Sequence, residues 1–145
     1  MKDEIIASAQ RLFAIRESAV LNVSEATRAA QQVCRDWQVA VRCETVQTEV
    51  RVNDWNEKID VVDFAAATAY EMKASPNNPH HEFYKDIFKI LAFNKVAEVP
   101  IRRLFFLTVE RGAKRLRGNL GHFAAELVRE RHGLDVVVET IGDGG

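Results

Sequence analysis

A short segment in the middle of the chain, Tyr70-Glu71-Met72-Lys73-Ala74-Ser75, alternates apolar and polar residues. Because successive side chains of a β-strand point to opposite faces, this pattern predicts a strand with Glu71 and Lys73 on one face and apolar side chains on the other. The preceding segment, residues 58–64, is also strand-like and carries Asp60 among apolar neighbours. The sequence therefore predicts two neighbouring strands that carry two carboxylates and an amine.

Hydrolysis of a phosphodiester requires these residue types. Magnesium binds oxygen ligands and usually keeps several waters and a substrate phosphate, so two carboxylates are enough to hold it. The ion lowers the pKa of a bound water and polarises phosphoryl oxygens. An amine beside it can orient that water or stabilise charge on the phosphate. We therefore expect Asp60 and Glu71 to bind Mg²⁺, for which Mn²⁺ can substitute, and Lys73 to assist the attacking water.

Asp60 followed by Glu71-Met72-Lys73 resembles the signature of the PD-(D/E)xK nuclease superfamily, although Ile59 stands where the family name has proline. The resemblance implies a restriction endonuclease-like core, in which helices flank a central mixed β-sheet. It also implies that the main-chain carbonyl of Met72 is a metal ligand, and that the protein is a Mg²⁺-dependent endonuclease acting on DNA.

The resemblance further implies contributions from the neighbouring helices. Lys89, on the helix that follows the Glu-x-Lys strand, is the expected additional catalytic residue, with Asp86 orienting it. The two residues are three apart and so share a helix face; an ordinary surface ion pair is the alternative. An extra acid from the preceding helix would be Glu25 or Glu17.

The pairing of the two central strands decides which acids meet. The connection at residues 65–67 is three alanines, without the Gly or Asn that a tight primed turn prefers. A slip of one residue would reverse the faces, and Asp63 would then replace Asp60 as the first acid. The apolar residues around Asp60 favour Asp60.

The remaining pattern predicts an α/β domain with the element order αβββαβ plus an added αβ unit. Ser24 is the expected N-cap of the second helix, and Phe123, Leu127 and Val128 are expected to face inward from the last one. The predicted helices are 3–19, 24–37, 82–97 and 120–131, and the predicted strands are 39–52 (one strand or a bent pair), 58–64, 68–74, 104–109 and 134–138, with a basic loop at 111–118.

Length and composition fit one domain, residues 1–141, followed by a flexible tail at 142–145. A chain of 145 residues with 47% hydrophobic and 28% charged residues is long enough and apolar enough to bury a core. The sequence has no apolar run long enough to span a membrane, and Cys34 and Cys43 are expected to be buried free thiols in a reducing compartment. We expect a cytoplasmic location.

Basic residues gather late in the chain. Arg111, Lys114, Arg115 and Arg117 are the expected nucleic-acid-binding residues. A nuclease needs both an acidic metal pocket and a basic surface that neutralises phosphates. For this charge run alone, a solvated surface is the favoured interpretation.

Three hypotheses follow from the sequence. The first is a metal-dependent endodeoxyribonuclease, which would act as a homodimer if it cuts both strands of a duplex. The second is a catalytically inactive nuclease-fold module that binds nucleic acid or protein. The third is an unrelated α/β binding protein in which the motif is accidental.

Overall fold

The structure, a computed structural model, describes residues 1–17, 22–75 and 77–143. In this part of the chain the helices are α1 (Lys2–Glu17), α2 (Val23–Val41), α3 (Pro79–Val96), α4 (Glu110–Leu116) and α5 (Asn119–His132). The strands are β1 (Val46–Arg51), β2 (Lys58–Asp63), β3 (Thr68–Lys73), β4 (Arg103–Val109) and β5 (Asp135–Gly142). None of the described helices is both long and apolar enough to span a bilayer.

The five strands form one open mixed sheet in the order β1-β2-β3-β4-β5. Strand β2 pairs antiparallel with β1 and β3, whereas β3, β4 and β5 run parallel to one another. The parallel strands require crossover connections, which α3 and the α4–α5 pair supply. The predicted α/β class and mixed sheet are confirmed.

Helices cover both faces of the sheet. Central strand β4 shows this directly, because Leu104 and Phe106 belong to one hydrophobic core while Phe105 and Leu107 belong to the other. Helices α1 and α2 pack into the second core, where the Trp37 indole N–H donates to the Ile5 carbonyl at 3.0 Å. Helices α3 and α5 pack into the first. The chain is therefore a three-layer arrangement with the sheet in the middle.

Helix α2 differs from the prediction at both ends. Its N-cap is Asn22, whose side-chain oxygen accepts the Glu25 N–H at 2.9 Å, so Ser24 is already inside the helix. The helix continues to Val41, because Trp37 and Val41 are four residues apart and both belong to the core beneath it. The apolar alternation that predicted a strand from residue 39 therefore belongs to a helix. For α1, predicted residues 18–19 lie outside the described residues.

The second half of the chain shows three further differences. The segment predicted as a basic loop is mostly helix α4. On α5, Val128 is buried as expected, but Phe123 and Leu127 are exposed. The reason is a close approach at Gly121, where a Cβ would clash with the Leu116 carbonyl oxygen. This contact turns the small-residue side of α5 toward α4.

The chain end and the cysteines complete the comparison. Gly133 ends α5 in the left-handed region (φ 66°) and donates to the Arg129 carbonyl, as a C-terminal glycine is expected to do. Strand β5 extends to Gly142, one residue past the predicted domain end, and residues 144–145 lie outside the described residues. Cys34 is half-buried, but Cys43 is exposed, which corrects the expectation of two buried thiols.

Candidate active site

Strands β2 and β3 separate at Asp60 and Glu71. Their ladder runs through Asp63↔Thr68, Val62↔Ala69 and Val61↔Tyr70. One step further, the same register places Asp60 opposite Glu71, but there the carboxylates take the places of main-chain acceptors. The Asp60 N–H donates to Glu71 Oε1 at 3.0 Å, and the Met72 N–H donates to Asp60 Oδ2 at 2.9 Å. Each acid thus satisfies an amide that the diverging strands leave unpaired.

This register decides between the two candidate first acids. Asp63 lies at the other end of β2, where its Oδ1 accepts the Ala66 N–H at 3.3 Å in the β2–β3 turn. Asp63 is therefore a turn residue, and the structure brings Asp60, not Asp63, to Glu71. The face assignment in β3 also holds: Glu71 and Lys73 face away from Tyr70 and Met72, which pack with the α1–α2 core.

The regular alternation of side chains is interrupted in β2 at Asp60, and the backbone of the paired strand β1 is distorted there as well. In β2, Ile59 and Val61 are two residues apart and would share a face in a regular strand, yet they belong to different cores. The β1–β2 register places Glu49 opposite Asp60, and Glu49 has a left-handed backbone (φ 49°). A left-handed conformation is unfavourable for a residue with a Cβ. The distorted backbone at Glu49 therefore lies opposite Asp60, where the side chains of β2 change from one face of the sheet to the other.

Lys89 of α3 binds the second acid. Its ammonium lies 2.9 Å from Glu71 Oε1, 3.0 Å from Asp86 Oδ1 and 2.7 Å from the Lys58 carbonyl oxygen. The carboxylates and the lysine are all largely buried; the Lys89 side chain is 10% exposed. The predicted Lys89–Asp86 pair therefore exists, and it is a buried network rather than a surface ion pair.

Burial dominates the electrostatics of the acids. Desolvation, followed by the charges of Asp60 and Asp86, raises the pKa of Glu71 well above its usual range. Desolvation likewise raises the pKa of Asp60, and it raises the pKa of Asp86 from 3.8 to about 7 against the opposing effect of Lys89. Burial works to lower the pKa of Lys89, but the charges of Glu71 and Asp86 outweigh it and raise that pKa. The site thus concentrates acids whose negative charge a bound proton or a cation relieves.

The acids open into a cleft of about 480 Å³ between α2, β3 and the start of α3. Lys73 lines this cleft with Asp60 and Glu71. The Lys73 ammonium makes no hydrogen bond or ion pair with any described residue, whereas all three donors of the Lys89 ammonium are occupied. Of the two lysines at the site, Lys73 is the one available to a ligand.

The donor set fits a magnesium ion. Asp60 and Glu71 supply carboxylate oxygens, and Met72 adds a main-chain carbonyl. Because the N–H and C=O of a strand residue project to the same side, the Met72 carbonyl is directed to the side of Asp60, which accepts the Met72 N–H. Among the described residues, no group of three or more His, Cys, Asp or Glu side chains is arranged as a metal site. Magnesium needs only one or two carboxylates when phosphate and water complete its shell.

Two residues of α2 contact Asp60 and were not anticipated. The Cys34 thiol lies 3.8 Å from Asp60 Oδ2, and the Gln38 side-chain amide donates to the Asp60 main-chain carbonyl at 3.1 Å. Burial, then the charges of Asp60 and Glu71, raise the pKa of Cys34, so the thiol acts as a donor. The only sequence signal for these contacts is helical: Gln31, Cys34 and Gln38 share one face of α2.

Of the two candidates for an extra acid from a preceding helix, Glu25 does not line the cleft. Among its described residues, α2 contributes Thr27, Ala30, Gln31 and Cys34 to the lining, and Glu25 is elsewhere. The Glu17 side chain lies outside the described residues. The additional acids come instead from α3, which contributes Glu82 and Asp86.

Helix α4 starts at the edge of the sheet where the cleft opens. The Thr108 hydroxyl donates to the Lys73 carbonyl at 2.8 Å, which ties the carboxyl ends of β3 and β4 together just before α4 begins. Arg111, Lys114 and Arg115 are exposed and share one helix face. Arg117, at the far end, donates to the Val138 carbonyl at 2.7 Å.

Comparison of the chain with protein families, curated proteins and solved structures gave no match.

Proposed function

We propose that the protein is a Mg²⁺-dependent endonuclease that hydrolyses DNA phosphodiester bonds in the cleft at Asp60 and Glu71. One observation carries the proposal: the buried Glu71 carboxylate and the half-buried Asp60 carboxylate lie opposite each other where two strands separate, and the unengaged ammonium of Lys73 lines the same cleft. Burying mutually repelling acids is unfavourable unless a cation or a proton joins them. A fold that maintains such a pair is suited to recruiting a cation.

The arrangement of elements supports the same proposal. A helix, three antiparallel strands, a crossover helix and a parallel strand follow in the order that the resemblance to the PD-(D/E)xK superfamily implies, with an added helical–strand unit. The motif residues fall on neighbouring strands, β2 and β3, as that resemblance requires. We therefore propose a restriction endonuclease-like core.

Each residue has a distinct role in this proposal. Asp60, Glu71 and the Met72 carbonyl hold the ion, which when bound polarises the phosphate and acidifies a water. The Lys73 ammonium orients the attacking water and stabilises charge on the phosphate. Lys89 acts through Glu71, whose Oε1 it contacts, so we assign it a positioning role in place of the catalytic role expected for it.

The basic face of α4 supports a nucleic-acid substrate. Helix α4, which carries Arg111, Lys114 and Arg115, begins at the same sheet edge as the cleft, and these side chains can neutralise phosphates of a bound DNA. Arg117 is already bonded to β5 and has fewer donors left for DNA. Cutting both strands of a duplex requires two clefts, and we propose a homodimer for that case.

Cleavage of supercoiled and branched DNA with Mg²⁺ or Mn²⁺ tests the proposal. We expect Lys73→Ala to lower the rate by at least about 100-fold, because it removes charge stabilisation at the phosphate. The matched control is Lys85→Ala, which removes an exposed lysine of α3 paired with Glu57 and leaves the rate unchanged.

Other results would redirect the assignment. Cutting that survives in Lys73→Ala would place the chemistry elsewhere. Salt-dependent DNA binding without cutting by the wild type would favour the inactive nuclease-fold module, in which the basic face of α4 acts alone. If the wild type neither binds nor cuts DNA, the remaining hypothesis is an unrelated α/β binding protein.

A further inference from the structure

Lys89 occupies a position with the ligand set of a cation site. Its ammonium contacts a carboxylate of β3, a carboxylate of α3 and a main-chain carbonyl of β2, at 2.9, 3.0 and 2.7 Å. An ammonium has three donors and no acceptor, so these three oxygens use all of its hydrogen-bonding capacity. Oxygen atoms from two acids and a carbonyl are also what a hard divalent cation binds.

In each of the two acids nearest the cleft, only one of the two carboxylate oxygens accepts hydrogen bonds from described residues. Glu71 Oε1 accepts from Lys89 and from the Asp60 N–H, and Asp60 Oδ2 accepts from the Met72 N–H and the Cys34 thiol. When both acids are ionised, no described residue donates to Glu71 Oε2 or Asp60 Oδ1. One oxygen of each acid is thus left for a bound ion.

We propose that the Lys89 ammonium occupies the position in which a second metal ion would otherwise bind, so that the cleft holds a single divalent ion. The inference rests on the proposed function for the first ion, and adds the number of ions and the residue that limits it.

Charge balance favours the same number. When ionised, the four acids that line the cleft (Asp60, Glu71, Glu82 and Asp86) carry four negative charges, and Lys73 and Lys89 supply two positive charges. One divalent ion neutralises the remainder. A second divalent ion would place excess positive charge beside the buried ammonium, where like charges repel strongly.

Replacing Lys89 with an uncharged side chain of similar length should uncover the second position. We expect wild type to bind one Mn²⁺, counted by calorimetry and by the electron paramagnetic resonance of free Mn²⁺ near pH 8, and Lys89→Met to bind two. Lys85→Met, which replaces an exposed lysine on the same helix, is the control and should bind one. Adding Asp86→Asn to Lys89→Met removes a ligand of the new position and should return the count to one.

Circular dichroism tests whether Lys89→Met is folded. If it is not, Lys89→Gln, which retains a hydrogen-bond donor, is the second variant. Two ions in wild type, or one ion in both wild type and the folded Lys89 variants, would overturn the role of Lys89 and leave the metal-dependent nuclease intact. No ion bound by wild type would overturn the metal site itself and the inference with it. Ion counts therefore separate the two failures.

Discussion

Asp86→Asn should stabilise the protein, and by an amount that grows with pH. The Asp86 carboxyl is buried, and desolvation raises its pKa from 3.8 to about 7 in spite of the adjacent Lys89. The difference of roughly three units corresponds to about 4 kcal/mol of unfavourable free energy when the carboxylate is ionised. Asparagine keeps the shape and an oxygen that can accept from Lys89, but it carries no charge.

The direction of the pH dependence follows from proton binding. The folded state holds the Asp86 proton more tightly than the unfolded state, so between about pH 4 and pH 7 it binds more protons. The stability of the wild type therefore falls as pH rises through this window, and the full penalty is present above about pH 7. Relative to wild type, Asp86→Asn should gain about 3 kcal/mol between pH 4.5 and pH 8.

Urea unfolding in the presence of a chelator measures this difference directly. Comparing the variant with wild type at each pH isolates the effect of the Asp86 charge, which includes the part of the rise in the Glu71 pKa that this charge causes. Loss of that part lowers the pKa of Glu71 and adds to the gain in stability of the variant with the same sign. The exposed acid Glu57, which pairs with Lys85, supplies the control: Glu57→Gln should change stability by no more than about 1 kcal/mol at every pH. A stability difference for Asp86→Asn that stays constant with pH would refute the reasoning.

The two thiols and the backbone at Glu49 allow two further predictions. In the native protein Cys43 should react rapidly with a thiol reagent and Cys34 only on unfolding, because hydrogen bonds from Thr45 lower the pKa of exposed Cys43 while burial raises that of Cys34; two thiols reacting at one rate would contradict this. Glu49→Gly should be as stable as wild type or more stable by up to about 1 kcal/mol, because glycine accepts the left-handed backbone, and Glu49→Val should be less stable. Urea unfolding measures both, and a Glu49→Val variant more stable than wild type would show that the backbone at this position is not strained.

The central strands were predictable because their signal is local. A period of two places Glu71 and Lys73 on one face, and the apolar residues around Asp60 favoured it over Asp63. The register that brings Asp60 to Glu71 agrees with that preference. The Glu71 carboxylate is far more buried than a polar strand face suggests, because its burial depends on α3, which the strand pattern does not specify.

The errors have tertiary causes. Residues 39–41 alternate like a strand, but Trp37 and Val41 keep them in α2 by packing against the same core. Phe123 and Leu127 have helical spacing, yet the contact between Gly121 and Leu116 turns another side of α5 inward. Both α2 and α3 line the cleft, but Glu25 is not among the lining residues of α2, whereas Glu82 and Asp86 line the cleft from α3. Which face each helix turns to the cleft is decided by packing rather than by local sequence.

Structure and chemistry are coupled at this site because the acids replace main-chain hydrogen-bond acceptors. Glu71 Oε1 satisfies the Asp60 N–H, and Asp60 Oδ2 satisfies the Met72 N–H. An alanine at either position would leave a buried amide unpaired, at about 1–3 kcal/mol, and would confuse loss of metal with loss of local structure. Glu71→Gln keeps an oxygen for the Asp60 amide while removing the charge that the ion needs. Loss of metal binding in that variant, without loss of stability, would therefore assign Glu71 to the ion rather than to the fold.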